Sequence, residues 1–237
     1  MQRMQIGSIS VDVIRKDIKN IHLAVYPPSG RIRLASPMDV RDETLRLFTI
    51  AKLAWIKRQQ RKFQTQERES KREYVSRESH YLFGKRYMLK VAFHDAPPRI
   101  ELVGQTMLLY VREQMPAAKR HGFVKIWHRS MLQAKVQPLL TKWETKIGVK
   151  ASKCDIRLMK TLWGSCTPRN KRICLNLELA KKPTKCIEYI IAHELTHLKE
   201  RHHNARFVKL MNEAMPKWKM YRDELNRLPV SHRDWGY

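Results

Sequence analysis

A chain of 237 residues that is 43% apolar can bury a real core, as one large domain or two intimate subdomains, and is not a disordered protein. Its 8 glycines exclude a loop-dominated or low-complexity architecture. Against 22 acidic residues stand 48 lysines and arginines, a net charge of +26 that attracts polyanions such as nucleic acid, nucleotides or acidic surfaces.

The first forty residues alternate as strands do, in VDVIR, IHLAVYP and RIRLAS, with PPSG as a turn. Asp39 or Asp42 is positioned to cap a helix from about Glu43 to Lys62, with Leu45, Phe48, Leu53, Trp55 and Ile56 on one broad face. A basic stretch, IKRQQRKFQTQERESKREYVSRES, follows as a solvated helix end and connector. Strands return in HYLFGKRYMLKVAF, turning at Gly84-Lys85, and in RIELVGQTMLLYV, turning at Gly104-Gln105. Residues 1–115 thus read as a β-rich N-terminal subdomain carrying one helix. No internal repeat is apparent.

From Ala117 to Ile147 the pattern is helical, with Val124, Trp127, Met131, Ala134 and Trp143 as core positions. Pro138 is expected to kink or divide that helix, and Gly148 to stop it. DIRLMKTLWGSCTPRNKRICLNLEL reads as two strands around a TPRN turn, and a last helical region begins after Pro183-Thr184. Cys154, Cys166, Cys174 and Cys186 form no C-x-x-C pair and read as single thiols of a reducing compartment. With no signal-peptide pattern at the N-terminus and no apolar run of membrane-spanning length, no membrane partner is expected and the cytoplasm is the expected location.

The chemistry concentrates in YIIAHELTHLKERHHNARF, residues 189–207. Residues four apart share a helix face, so His193 and His197 can offer two imidazoles to one metal ion. Glu194, about 100° further round, lies beside such an ion and suits a general base. Ile187, Ile191, Leu195 and Leu198 would bury the neighbouring face. Candidates for a third ligand are His202, His203, Glu200, Glu213 and Glu224, with His203 favoured. It lies six residues past His197, the offset of the H-E-x-x-H-x-x-G-x-x-H pattern, although Glu200 stands where that pattern has glycine. Three histidines would leave zinc, one ion per chain, an open position for water.

Three segments, LWGSCTPRNKRICLNLEL, CIEYIIAHELTHLKERHHNARF and MPKWKMYRDEL, resemble the YgjP-like zinc metallopeptidases, which are related to the SprT-like group. RKDIKNIHLAVYPPSGRIRLASP, AKLAWIKRQQ and YLFGKRYMLKV extend the resemblance over nearly the whole chain. His193, His197 and His203 match the family's zinc ligands, and Glu194 matches its catalytic glutamate. Val208 stands where the family commonly has tryptophan. The resemblance implies an α+β fold: a small zincin-like metallopeptidase core over residues 116–237, its active-site helix packed on a short sheet, behind the β-rich subdomain. Because zincins take extended substrate along an edge strand, Trp163, Ser165 and Cys166 are candidates for lining the cleft, with strand-turn packing as their alternative role.

The expected activity is peptide-bond hydrolysis by metal-activated water with Glu194 as base, on polypeptides, with nucleic-acid-associated proteins as candidate targets. Two alternatives stand beside it. One is metal-dependent hydrolysis of nucleoside triphosphates, for which no G-x-x-x-x-G-K-[ST] loop is present. The other is a catalytically silent polyanion-binding module, in which Glu194 would have no task.

Overall fold

The computed structural model describes residues 2–26, 29–65, 72–159 and 161–229. Pro27 and Pro28 of the PPSG turn and residues 66–71 of the basic connector lie outside them. The protein is α+β, and it divides into two compact units, Met1–Glu67 and Arg68–Tyr237.

In the smaller unit β1 (Gln2–Ile6), β2 (Ile9–Arg15), β3 (His22–Tyr26) and β4 (Arg31–Ser36) form a sheet of order β1-β2-β4-β3, with only β2 and β4 parallel. Strand alternation sends Val11, Val13, Ile32 and Leu34 into a core with Leu45 and Ile56. The expected single helix is two, α1 (Asp42–Ala51) and α2 (Leu53–Thr65), separated at Lys52. Neither Asp39 nor Asp42 caps α1. Arg41 holds the cap position without a side-chain bond, and Asp42 instead accepts from Arg15 and Gln2.

The larger unit opens with a second four-stranded sheet: β5 (Ser79–Leu82), β6 (Lys85–Phe93), β7 (Arg99–Val103) and β8 (Thr106–Val111). Its order, β5-β6-β8-β7, and its pairing directions repeat those of the first sheet. No sequence repeat accompanies this repeated topology, because a strand needs alternating apolar and polar residues and not particular identities. The sheet belongs with the C-terminal part because its hairpin tip is fastened there. Phe83 and Gly84, at φ 49° and 82°, donate their N–H groups to Ala180 O and Lys181 O, at 2.8 and 3.2 Å. Gly84 also needs its missing side chain, since a Cβ there would lie 3.0 Å from Pro183 Cα.

α3 (Ala117–Ile147) runs undivided through Pro138 and ends at Gly148, which takes the left-handed conformation. Its buried face is Val124, His128, Leu132, Val136, Trp143 and Ile147, so the expected core positions Met131 and Ala134 are displaced outward by about one residue. The reason is that α3 serves two cores: Val124 meets the sheet, and Leu132 to Ile147 meet the C-terminal helices. Three strands, not two, form the small sheet: β9 (Lys153–Arg157), β10 (Gly164–Thr167) and β11 (Arg172–Asn176), in the order β10-β11-β9. α4 (Thr184–Thr196), α5 (Ala205–Ala214) and α6 (Trp218–Arg227) complete the chain. α4 contacts α3, α5, α6, β10 and β11. Residues 186–192 are therefore buried all round, not on one face.

Candidate metal centre

The last turn of α4 presents His193 and His197, and the chain then reverses without glycine. Glu200 makes the reversal: its carbonyl lies 3.0 Å from His197 Nδ1, and its Oε1 accepts from the His202 N–H at 3.1 Å. Asn204 then caps α5, its Oδ1 accepting from the Phe207 N–H at 3.0 Å. This brings His203 back over the end of α4. The nitrogens of His193, His197 and His203 lie within 4.8 Å of one another, and His203 Nε2 is 3.0 Å from His193 Nε2. Among the described residues no fourth His, Cys or carboxylate joins this group, and His202, Glu200, Glu213 and Glu224 stand outside it.

Phe207 is the floor of the site. Its fully buried ring lies 4.7–5.0 Å from all three imidazole rings. Below α4, Met211 Sδ sits 3.3 Å from Thr196 Oγ1. The three rings fit a divalent metal. A proton on His197 Nδ1 donates to the Glu200 carbonyl and leaves the Nε2 lone pair free. Burial, with His197 and His203 alongside, pushes the His193 pKa down to about 3, and burial lowers His197. Both are therefore neutral, ligand-competent imidazoles at pH 7. His203 is exposed, so the site is open to solvent on its side.

Glu194 is only 5% exposed, and burial alone raises its carboxyl to about 8. Its neighbour is a residue that the sequence reading passed over. A Cβ built on Gly164 would lie 2.6 Å from Glu194 Oε1, so only glycine lets β10 approach this closely. A glycine inside a strand is the available sequence signal for such an approach.

The three cleft candidates separate by strand alternation. Cys166 is opposite the buried Ile173, on the face turned to α4 like Gly164, and its thiol is pushed up to about 11 by burial and then by Glu194. Ser165 is opposite Cys174, on the other face. Trp163 is half-buried against the core with Lys182 Nζ 5.8 Å from its ring. Cys166 and Cys174 therefore project to opposite faces of the sheet and do not form a thiol pair.

Among the described residues no helix is long and apolar enough to cross a membrane. No curated protein matches the chain significantly. Two solved structures, both metallopeptidase zymogens, resemble part of it. Abylysin of Pyrococcus abyssi is 23% identical over 38% of this chain and 90% of its own, with a TM-score of 0.36. Jannalysin of Methanocaldococcus jannaschii is 18% identical over 38% of this chain and 87% of its own, with a TM-score of 0.35. Residues 19–228 match the YgjP-like metallopeptidase domain, and the chain belongs to that family.

Proposed function

We propose that the chain is a zinc-dependent peptidase in which His193, His197 and His203 hold one ion and Glu194 moves the proton. The observation that carries this is the convergence of three imidazoles within 4.8 Å beside a buried glutamate fixed against an edge strand. When bound, zinc supplies a Lewis acid that polarises a carbonyl and acidifies water.

The chain's own residues do the rest. The Glu200 carbonyl holds the His197 ring in one tautomer, and Phe207 keeps the three rings together. The α4 wall and Gly164 keep water from the back of Glu194. A carboxyl whose affinity for a proton is raised by burial, and lowered again by a nearby cation, can take a proton from water and return it to the leaving amine. β10 supplies the substrate's track. The bond from Asn176 N to Trp163 O, 2.9 Å, sets the ladder so that residues 163, 165 and 167 bond to β11, and the N–H and C=O of Gly164 and Cys166 face the free edge. An extended polypeptide can pair there. All of these groups lie within 116–237, the stretch proposed as the catalytic core.

Proximity to nucleic acid is part of the proposal, supported by the +26 charge and by one surface of the small sheet. There Lys153, Arg157 and Arg172 approach the single carboxylate of Asp155 at 3.2, 3.7 and 2.9 Å, leaving cation in excess. Binding to duplex DNA that weakens steeply with salt is the expected result, and salt-independent or absent binding would remove this part.

The test of the function is Glu194→Gln against a panel of unfolded polypeptides and nucleoside triphosphates, with and without chelator. Chelator-sensitive polypeptide cleavage that falls about 10²–10⁴-fold in the variant, with zinc retained, is expected. Cleavage of triphosphates alone would reassign the bond, and undiminished activity in the variant would remove the mechanism.

A further inference from the structure

The smaller unit has a sheet face that the metal centre does not use. Both of its helices lie on one side of the β1–β4 sheet, where Val11, Val13, Ile32 and Leu34 meet Leu45 and Ile56. Strand alternation turns the residues between those positions to the other side. The register sets them next to one another there: Arg3 is opposite Asp12, Asp12 is beside Arg33, and Tyr26 is opposite Arg31. Arg3 and Arg33 are two strand spacings apart, about 10 Å.

Charge on this face is one-sided. Asp12 is its only carboxylate, 4% exposed beneath two guanidiniums, with Arg3 Nε at 3.5 Å and Arg31 Nε in closer contact. The ion pairs bury the acid and leave cation outermost, since the Arg3 side chain is 73% exposed. Arg33 pairs with no carboxylate among the described residues, and its guanidinium lies 5.5 Å from the centre of the Tyr26 ring. The second sheet offers a contrast. There Arg99 lies 4.1 Å from the Tyr110 ring, but its Nε donates to Glu101 at 2.8 Å. Both sheets build the cation–aromatic pair, and only the first leaves its cation unneutralised.

We propose that this face of the β1–β4 sheet binds single-stranded nucleic acid, with Tyr26 stacking an unpaired base and Arg33 and Arg3 meeting the phosphates beside it. Three features select this partner. Three guanidiniums against one carboxylate attract a polyanion. None of the exposed large apolar side chains lies on the face, which disfavours a lipid surface or an apolar protein. An aromatic ring with a cation at its side serves a base and its phosphate together, whereas the bases of a duplex are already stacked on each other. The inference stands apart from the peptidase reading and from the basic surface of the small sheet.

The test is fluorescence anisotropy of the full-length protein with a short labelled oligo-dT over a series of salt concentrations, beside a hairpin duplex. Arg33→Gln is expected to weaken oligo-dT binding about tenfold and to reduce the slope of log affinity against log salt by about 0.7, the loss of one phosphate contact. Arg33→Lys keeps the charge and should restore the slope. Tyr26→Leu should weaken oligo-dT about tenfold with the slope unchanged, and leave the hairpin as it was. Arg99→Gln in the second sheet and Arg157→Gln in the small sheet should leave oligo-dT binding unaltered. Absence of oligo-dT binding, unchanged binding in both Arg33→Gln and Tyr26→Leu, or an equal loss on the hairpin in Tyr26→Leu overturns the assignment. Binding lost in Arg157→Gln and kept in Arg33→Gln overturns it too, and moves the strand to the small sheet.

Discussion

Gly164 of the edge strand and Glu194 of the buried helix are in direct contact: a methyl group added at residue 164 would lie 2.6 Å from Glu194 Oε1 and 2.8 Å from its Cγ. Gly164→Ala must therefore push the carboxylate aside or lift β10. None of the three histidines is touched. Zinc content is expected to stay unchanged while turnover falls about a hundredfold, the usual effect of misplacing a catalytic group by about 1 Å. Wild-type turnover in this variant would show that the contact does not position Glu194.

The reversal after α4 decides which histidine completes the triad. His202 gives its backbone N–H to Glu200, while His203 brings its ring nitrogen to 3.0 Å from that of His193. His203→Ala should lose bound zinc at neutral pH and His202→Ala should keep it, as read by elemental analysis of dialysed protein. The opposite pattern would exchange the two assignments.

Phe207 has two roles that separate by substitution. Phe207→Ala opens a cavity under all three rings and should cost about 3–5 kcal/mol of stability. Phe207→Leu keeps most of the volume but loses the ring contacts, so its main effect should be weaker zinc binding, on the order of tenfold. A chelator competition on the two variants distinguishes them, and unaltered zinc affinity in Phe207→Leu would reduce the ring to packing.

Acid stability is expected to depend on His128, far from the triad in sequence. It is buried on α3 with Nε2 3.1 Å from the Tyr81 carbonyl, and burial, with Lys181 next, pushes its pKa down to about 4 from the ordinary imidazole value of 6.5. Glu178 and His80 also act on it in opposite senses. The unfolded chain binds a proton at this residue below pH 6.5 and the folded one does not until about pH 4. Stability therefore falls as pH drops through that window, by at most about 1.4 kcal/mol per pH unit, and is level above it. His128→Gln should flatten the urea-unfolding profile between those limits. A variant profile parallel to the wild type would exclude His128 as the group responsible.

What could be read from the chain, and what could not, follows from the range of each interaction. His193 and His197 were legible because the helix repeat alone places them together, and His203 because a short turn limits its reach. The shape of that turn was not legible. Asn204 caps α5 and thereby aims Phe207 at the site, and the sequence analysis assigned it no role. Gly164 and Asn176 stood out little for a related reason. One acts by lacking a side chain and the other by bonds to a segment 14–17 residues away, and neither leaves a periodic signal. Local rules also failed where tertiary packing overrode them: α3 continues through Pro138, and α1 and α2 separate at Lys52 with no proline or glycine. The doubled strand topology was invisible because alternation repeats in every sheet protein.

The most direct test of the central claim is the zinc content of the wild-type protein after removal of loosely bound ions. The account predicts about one zinc per chain. A protein that holds no metal and takes up no zinc on titration at neutral pH would contradict it.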